Sequence, residues 1–178
     1  MFNIIKNIPS VIIFFAFCLL ATISNAQQLE PWLGAVVGET IHLGNDNRLS
    51  TVRRLINEGN TEGAVREAKK LVTTLKLSKM YRASQRTRYR YNIYNALCIS
   101  LTSNNEYEDA LAACNEAIDS DPHRWHAINS RGSLNYKMGN YTKALTDYQR
   151  ALNKAPERKR IKRIIEHNIK ISEARISN

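Results

Sequence analysis

Apolar residues in this chain recur three and four positions apart, the spacing that lays a stripe along one face of an α-helix. Leu49, Val52, Leu55 and Ile56 form the first such stripe, with Asp46 or Asn47 placed to cap its start and Gly59-Asn60 to end it. Ala64, Ala68, Leu71, Val72 and Leu75 form the second. A third helix carries Tyr94, Leu97, Cys98 and Leu101, and a fourth Ala110, Leu111, Cys114, Ala117 and Ile118. Ile128, Arg131, Gly132 and Asn135 hold the matching places of a fifth, and Ala144, Leu145, Tyr148, Ala151 and Leu152 those of a sixth. Glu157–Ile176 reads as one further amphipathic helix with Ile161, Ile164, Ile165 and Ile169 as its stripe. The pattern predicts an all-α chain of six or seven helices.

Shifting the sequence by 34 residues lays it on itself: Tyr107 on Tyr141, Ala110 on Ala144, Leu111 on Leu145, Ala117 on Ala151 and Pro122 on Pro156. A self-match at this period signals stacked helical hairpins. Two repeats follow, 91–124 and 125–158. Small residues (Cys98 or Gly132, Ala110 or Ala144) let the two helices of a hairpin approach closely, and Pro122 and Pro156 stop the second helices. Asp121-Pro122 also suits a cap with Pro in the next helix's first turn. Gly59-Asn60 corresponds to Gly139-Asn140, which makes 47–90 a degenerate third hairpin. Its register lies 80 residues from the last repeat, 12 more than two periods, so an insertion between Leu75 and Tyr91 should lengthen one or both flanking helices.

The period and these positions resemble the tetratricopeptide repeat, a helix–turn–helix family whose members mostly bind proteins or peptides. The resemblance implies stacked antiparallel hairpins, with residues 159–178 as a C-terminal capping helix over the last repeat. It also implies a ligand groove lined by the first helix of each hairpin: Asn92, Asn95 and Ile99, then His126, Asn129, Ser133, Tyr136 and Lys137. The carboxylate clamp of some members is missing, since Asn95 stands where that pattern has Lys and Ile99 where it has Asn. Arg131 and Asn135 depart from the family's apolar preference, which suggests a face that is wet or only partly covered. By the same resemblance Cys98 and Cys114 sit on facing helices of one hairpin. They would suit a disulfide, although small buried thiols filling packing positions are the favoured reading.

Length and charge refine this picture. At 178 residues there is room for about one domain, and the formal net charge is +10. Residues 1–26 read as a signal peptide: Lys6, an apolar run at Val11–Ile23 and Ser24-Asn25-Ala26 as the cleavage site. Cleavage there leaves a chain of charge +9, exported to the periplasm if the source is bacterial and secreted otherwise. Residues 27–46 are a lead-in segment in which Trp32 is expected to pack on the first hairpin. Export makes nucleic acid an unexpected partner, and favours proteins, anionic polysaccharide or anionic lipid surfaces. Lys76, Lys79, Arg82, Arg86, Arg88 and Arg90 lie in a stretch without Asp or Glu, interleaved with tyrosines, and are the candidates for an anion-binding surface.

Chemistry is thinly signalled. Gly34, Gly38 and Gly44 fit no phosphate-cradling spacing. His123 and His126 are three apart, but no third ligand stands at a recognisable distance in sequence, so no metal or cofactor is expected. No catalytic residue is assigned. The expectation is a non-catalytic binding module, an adaptor or scaffold in the cell envelope, with a salt-sensitive binder of anionic polymers or membrane surface as the alternative.

Overall fold

The computed structural model describes residues 47–77 and 83–177, and among them the chain forms seven helices and no strand. They are α1 (Asn47–Asn57), α2 (Thr61–Leu77), α3 (Ala83–Ser103), α4 (Tyr107–Ser120), α5 (Trp125–Lys137), α6 (Tyr141–Lys154) and α7 (Lys159–Ile176). The expected signal peptide and the lead-in with Trp32 lie outside the described residues.

The architecture is a run of stacked helical hairpins. Consecutive helices pack on one another, and the first helices also stack, α1 on α3 and α3 on α5, with α7 reaching α5 at the end of the array. α2 continues to Leu77 and α3 begins at Ala83, so the residues in excess of the 34-residue period lengthen both helices. α3 thereby runs to 21 residues against 13 in α5.

One turn joins each hairpin, and its backbone bonds repeat. Gly59 donates to the Ile56 carbonyl and Asn60 to Leu55; Asn105 to Thr102 and Glu106 to Leu101; Gly139 to Tyr136 and Asn140 to Asn135. This paired pattern terminates a helix through a residue in the left-handed region. The residues concerned have φ of 75° at Gly59, 62° at Asn105 and 76° at Gly139. Asn105 therefore does the work of glycine in the middle hairpin.

Close approach inside the hairpins follows from small residues. Ala64, Ala68, Ala96, Ala110, Ala117, Ala144 and Ala151 are all fully buried. A Cβ on Gly132 would meet the Tyr148 ring at 2.8 Å, so only glycine lets α5 lie against that ring. Cys98 on α3 and Cys114 on α4 are brought to a Cα separation of 4.9 Å and form a disulfide. The free-thiol reading is corrected: the two helices pass within the roughly 7 Å that bridging requires.

The start of α5 also differs from expectation. Asp121 does not cap it; it closes α4, and its Oδ1 accepts the His123 N–H at 3.2 Å. Arg124 stands at the N-cap without a side-chain cap bond, and the Tyr91 hydroxyl on α3 accepts the Ala127 N–H at 2.9 Å. A tyrosine one repeat earlier therefore satisfies a first-turn donor that no local residue reaches.

Candidate functional site

α3 and α5 are the central helices, each in contact with four others, and from Tyr91 to Tyr136 they are buried around most of their circumference. The side chains expected to line a groove share that burial. Asn95 and Ile99 are about 1% exposed, Asn92 and Tyr136 are buried, and Asn129 and Ser133 are fully so. His126 and Lys137 are half-buried. These residues do fall together on the first helices, but they do not form a solvent-lined channel.

Local bonds account for several of them. Arg124 donates to Asn92 Oδ1 at 3.2 Å and lies 4.1 Å from the Tyr91 ring centroid. Ser133 Oγ donates to the Asn129 carbonyl and accepts the Tyr148 hydroxyl at 3.1 Å. Tyr136 packs edge-on against Tyr141 and accepts Arg175 Nε at 3.4 Å. His126 stacks on Trp125 at 4.1 Å, while His123 is exposed. Asn129 is the exception: its Oδ1 and Nδ2 are both buried and neither has a hydrogen-bond partner among the described residues. A buried amide left so costs on the order of 1–3 kcal/mol, and it holds one acceptor and one donor head unsatisfied. That pair is complementary to a peptide group.

The anion-binding candidates fall only in part within the described residues. Lys79 and Arg82 lie outside the described residues, as does the side chain of Arg86. Lys76 and Arg88 are exposed. Arg90 is neutralised by Glu116 of α4, and lies 5.4 Å from the Tyr94 ring centroid. Lys69 and Lys70, just before that stretch, pair with Glu106 and Glu67. Among the described residues of the stretch, it is Arg90 that receives a carboxylate from a neighbouring helix.

A polar cluster missed by sequence reading lies between α4, α5 and α6. Arg131 Nε and Nη2 donate to Asp147 Oδ2 and Oδ1 at 3.0 and 2.7 Å, Nη1 donates to Asn115 Oδ1 at 2.9 Å, and Asn135 Nδ2 donates to Asp147 Oδ2 at 3.0 Å. The hydrogen bonds that Asp147 accepts hold the Arg131 guanidinium above its already high ordinary pKa, against the opposing effect of burial. The cluster floors a cleft of about 330 Å³ that Lys143 and Thr146 also line. The Arg131 and Asn135 departures are thus answered inside the protein, by Asp147. The signal available in sequence was an acidic residue on the second helix of the same hairpin.

Among the described residues no group of three or more His, Cys, Asp or Glu side chains is placed to hold a metal ion. No helix among them is long and apolar enough to cross a membrane. A family model described as tetratricopeptide repeat matches residues 97–167. A search of curated proteins finds no match. The matched stretch runs from within α3 into α7, across the turns at Asn105 and Gly139 and the Gly132–Tyr148 contact, and this stretch is made of tetratricopeptide repeats.

Proposed function

We propose that this chain is a non-catalytic module that holds a protein or peptide partner through the faces of α3 and α5, and that it works as an adaptor in the cell envelope after export. Repeats of this family generally mediate protein–protein interaction and are typically non-catalytic. The observation that carries the site assignment is Asn129, which is enclosed and whose amide has no hydrogen-bond partner among the described residues, so that a partner's peptide group reaches it only as the α3 and α5 faces open to admit it. Evolving a purely structural core at this position would favour an apolar side chain, because an unsatisfied buried amide is destabilising. The Cys98–Cys114 disulfide supports the exported reading, since such bonds persist in oxidising compartments.

The test pairs binding with stability. The wild type and Asn129→Leu are used to capture proteins from an envelope extract at moderate salt, with mass spectrometry as readout. Asn129→Leu is expected to lose the retained partner while its urea midpoint stays equal or rises. Loss of stability with the partner retained would show that Asn129 is a structural residue and sink the assignment.

A further inference from the structure

Positive charge that sequence places at 76–90 is partly cancelled by the fold, but a second concentration at the α6–α7 turn is not. Lys143, Arg150 and Lys154 stand on α6 seven and four residues apart, a spacing that puts them on one flank. By helix geometry they span about 16 Å. Lys154 is the last residue of α6, Arg158 is the N-cap of α7, and Lys159 opens that helix, so the positive charge continues along the chain through the turn. Arg150, Arg158 and Lys159 are exposed and Lys154 is half-buried.

Among the described residues none of these five has a carboxylate partner. Glu157, the acid within the turn, is taken by Lys162 at 2.7 Å. α7 also has no acidic residue in its first turn, whereas α4 starts with Glu108 and Asp109. Cations at a helix N-terminus oppose the helix dipole, so their placement there is unfavourable to the isolated fold. At one end the flank meets the cleft floored by Arg131, where Lys143 lines the wall.

We propose that this outer flank, running from Lys143 over Arg150 and Lys154 to Arg158 and Lys159, docks an acidic segment of a protein partner. The proposal rests on the protein-binding reading and adds a second contact surface to it, apart from the faces of α3 and α5. Arginine and lysine spaced along a line match carboxylates along an extended chain, and arginine takes them with two parallel bonds. A membrane surface fits less well. The exposed large apolar residues among those described are Leu77, Met138 and Ile176, and none belongs to the flank, which leaves no wedge for the lipid interface.

Fluorescence anisotropy of a labelled oligoglutamate peptide against the purified protein tests this at low salt. Wild type is expected to bind, with affinity falling as salt rises. Changing Lys154, Arg158 and Lys159 together to Gln should weaken binding roughly tenfold. Changing Lys76, Arg88 and Lys170 to Gln removes equal charge elsewhere and should leave affinity within about twofold. Equal loss in both triple variants would overturn the proposal, because net charge alone would then explain binding. So would wild-type protein that binds phosphatidylglycerol vesicles and not the peptide. Failure of the α3–α5 site registers in extract capture, and failure of the flank registers here.

Discussion

Arg131 on α5 and Asp147 on α6 form a two-bond ion pair in which the carboxylate side chain is 7% exposed and the guanidinium 24%. The pair replaces the apolar contact expected between the helices of this hairpin. Removing one partner is the costly change. Arg131→Met strands a buried carboxylate with only Asn135 to serve it, and should lower stability by about 3 kcal/mol. The double change Arg131→Met with Asp147→Leu should regain most of that loss in urea denaturation, since two apolar groups need no partners.

Tyr91 gives the fold an alkaline limit. Burial, the largest influence, pushes its phenol up to about 12 from 10, partly offset by the Ala127 N–H it accepts and the nearby Arg124 charge. Below pH 10 the phenol is protonated in both folded and unfolded chains, and the stabilisation is fully present. Between pH 10 and 12 the unfolded chain releases the proton first, so folding weakens by up to about 2–3 kcal/mol. Tyr91→Phe should flatten this part of the pH–stability curve relative to wild type. At neutral pH it should cost about 1 kcal/mol, because the Ala127 N–H loses its acceptor.

Asn105 carries left-handed backbone where the other two hairpins use glycine. Asn105→Ala should destabilise by about 1–2 kcal/mol, and Asn105→Gly should be neutral or mildly stabilising. Thermal melts of the two variants beside wild type distinguish conformational strain from loss of the exposed Tyr107–Asn105 hydrogen bond, which both variants remove.

The disulfide closes a loop of 16 residues' separation within the α3–α4 hairpin. Constraint of the unfolded chain by such a loop is worth about 3 kcal/mol. Adding reductant should therefore lower the urea midpoint of wild type and leave that of a Cys98→Ala, Cys114→Ala variant unchanged.

The hairpins were legible because their determinants are local. The stripe Leu49, Val52, Leu55, Ile56 and the small residues Ala110, Ala117, Ala144 and Ala151 declare both helix and contact in their spacing. α3 and α5 are harder to read. Asn92, Asn95, Ser100, Thr102, Asn129 and Ser133 are buried there with little apolar periodicity to announce it. Ser100 and Thr102 satisfy their hydroxyls on carbonyls one turn back, so polar residues stay buried without any partner visible at a distance in sequence. The groove expected from resemblance thus rests on residues that the fold encloses. Charge pairing near the basic stretch before Tyr91 was equally illegible: Glu106 and Glu116 pair with Lys69 and Arg90 from other helices.

By itself the sequence determined the period, the helix stops at Pro122 and Pro156, and the close hairpins, since each depends on backbone freedom or side-chain size at single positions. Tertiary structure alone decided what meets across 16 to 36 residues: the Cys98–Cys114 bond, the Arg131–Asp147 pair and the Tyr91 hydroxyl at the start of α5. Such pairings depend on the rotation and rise of one helix against another, which packing sets and no local spacing encodes.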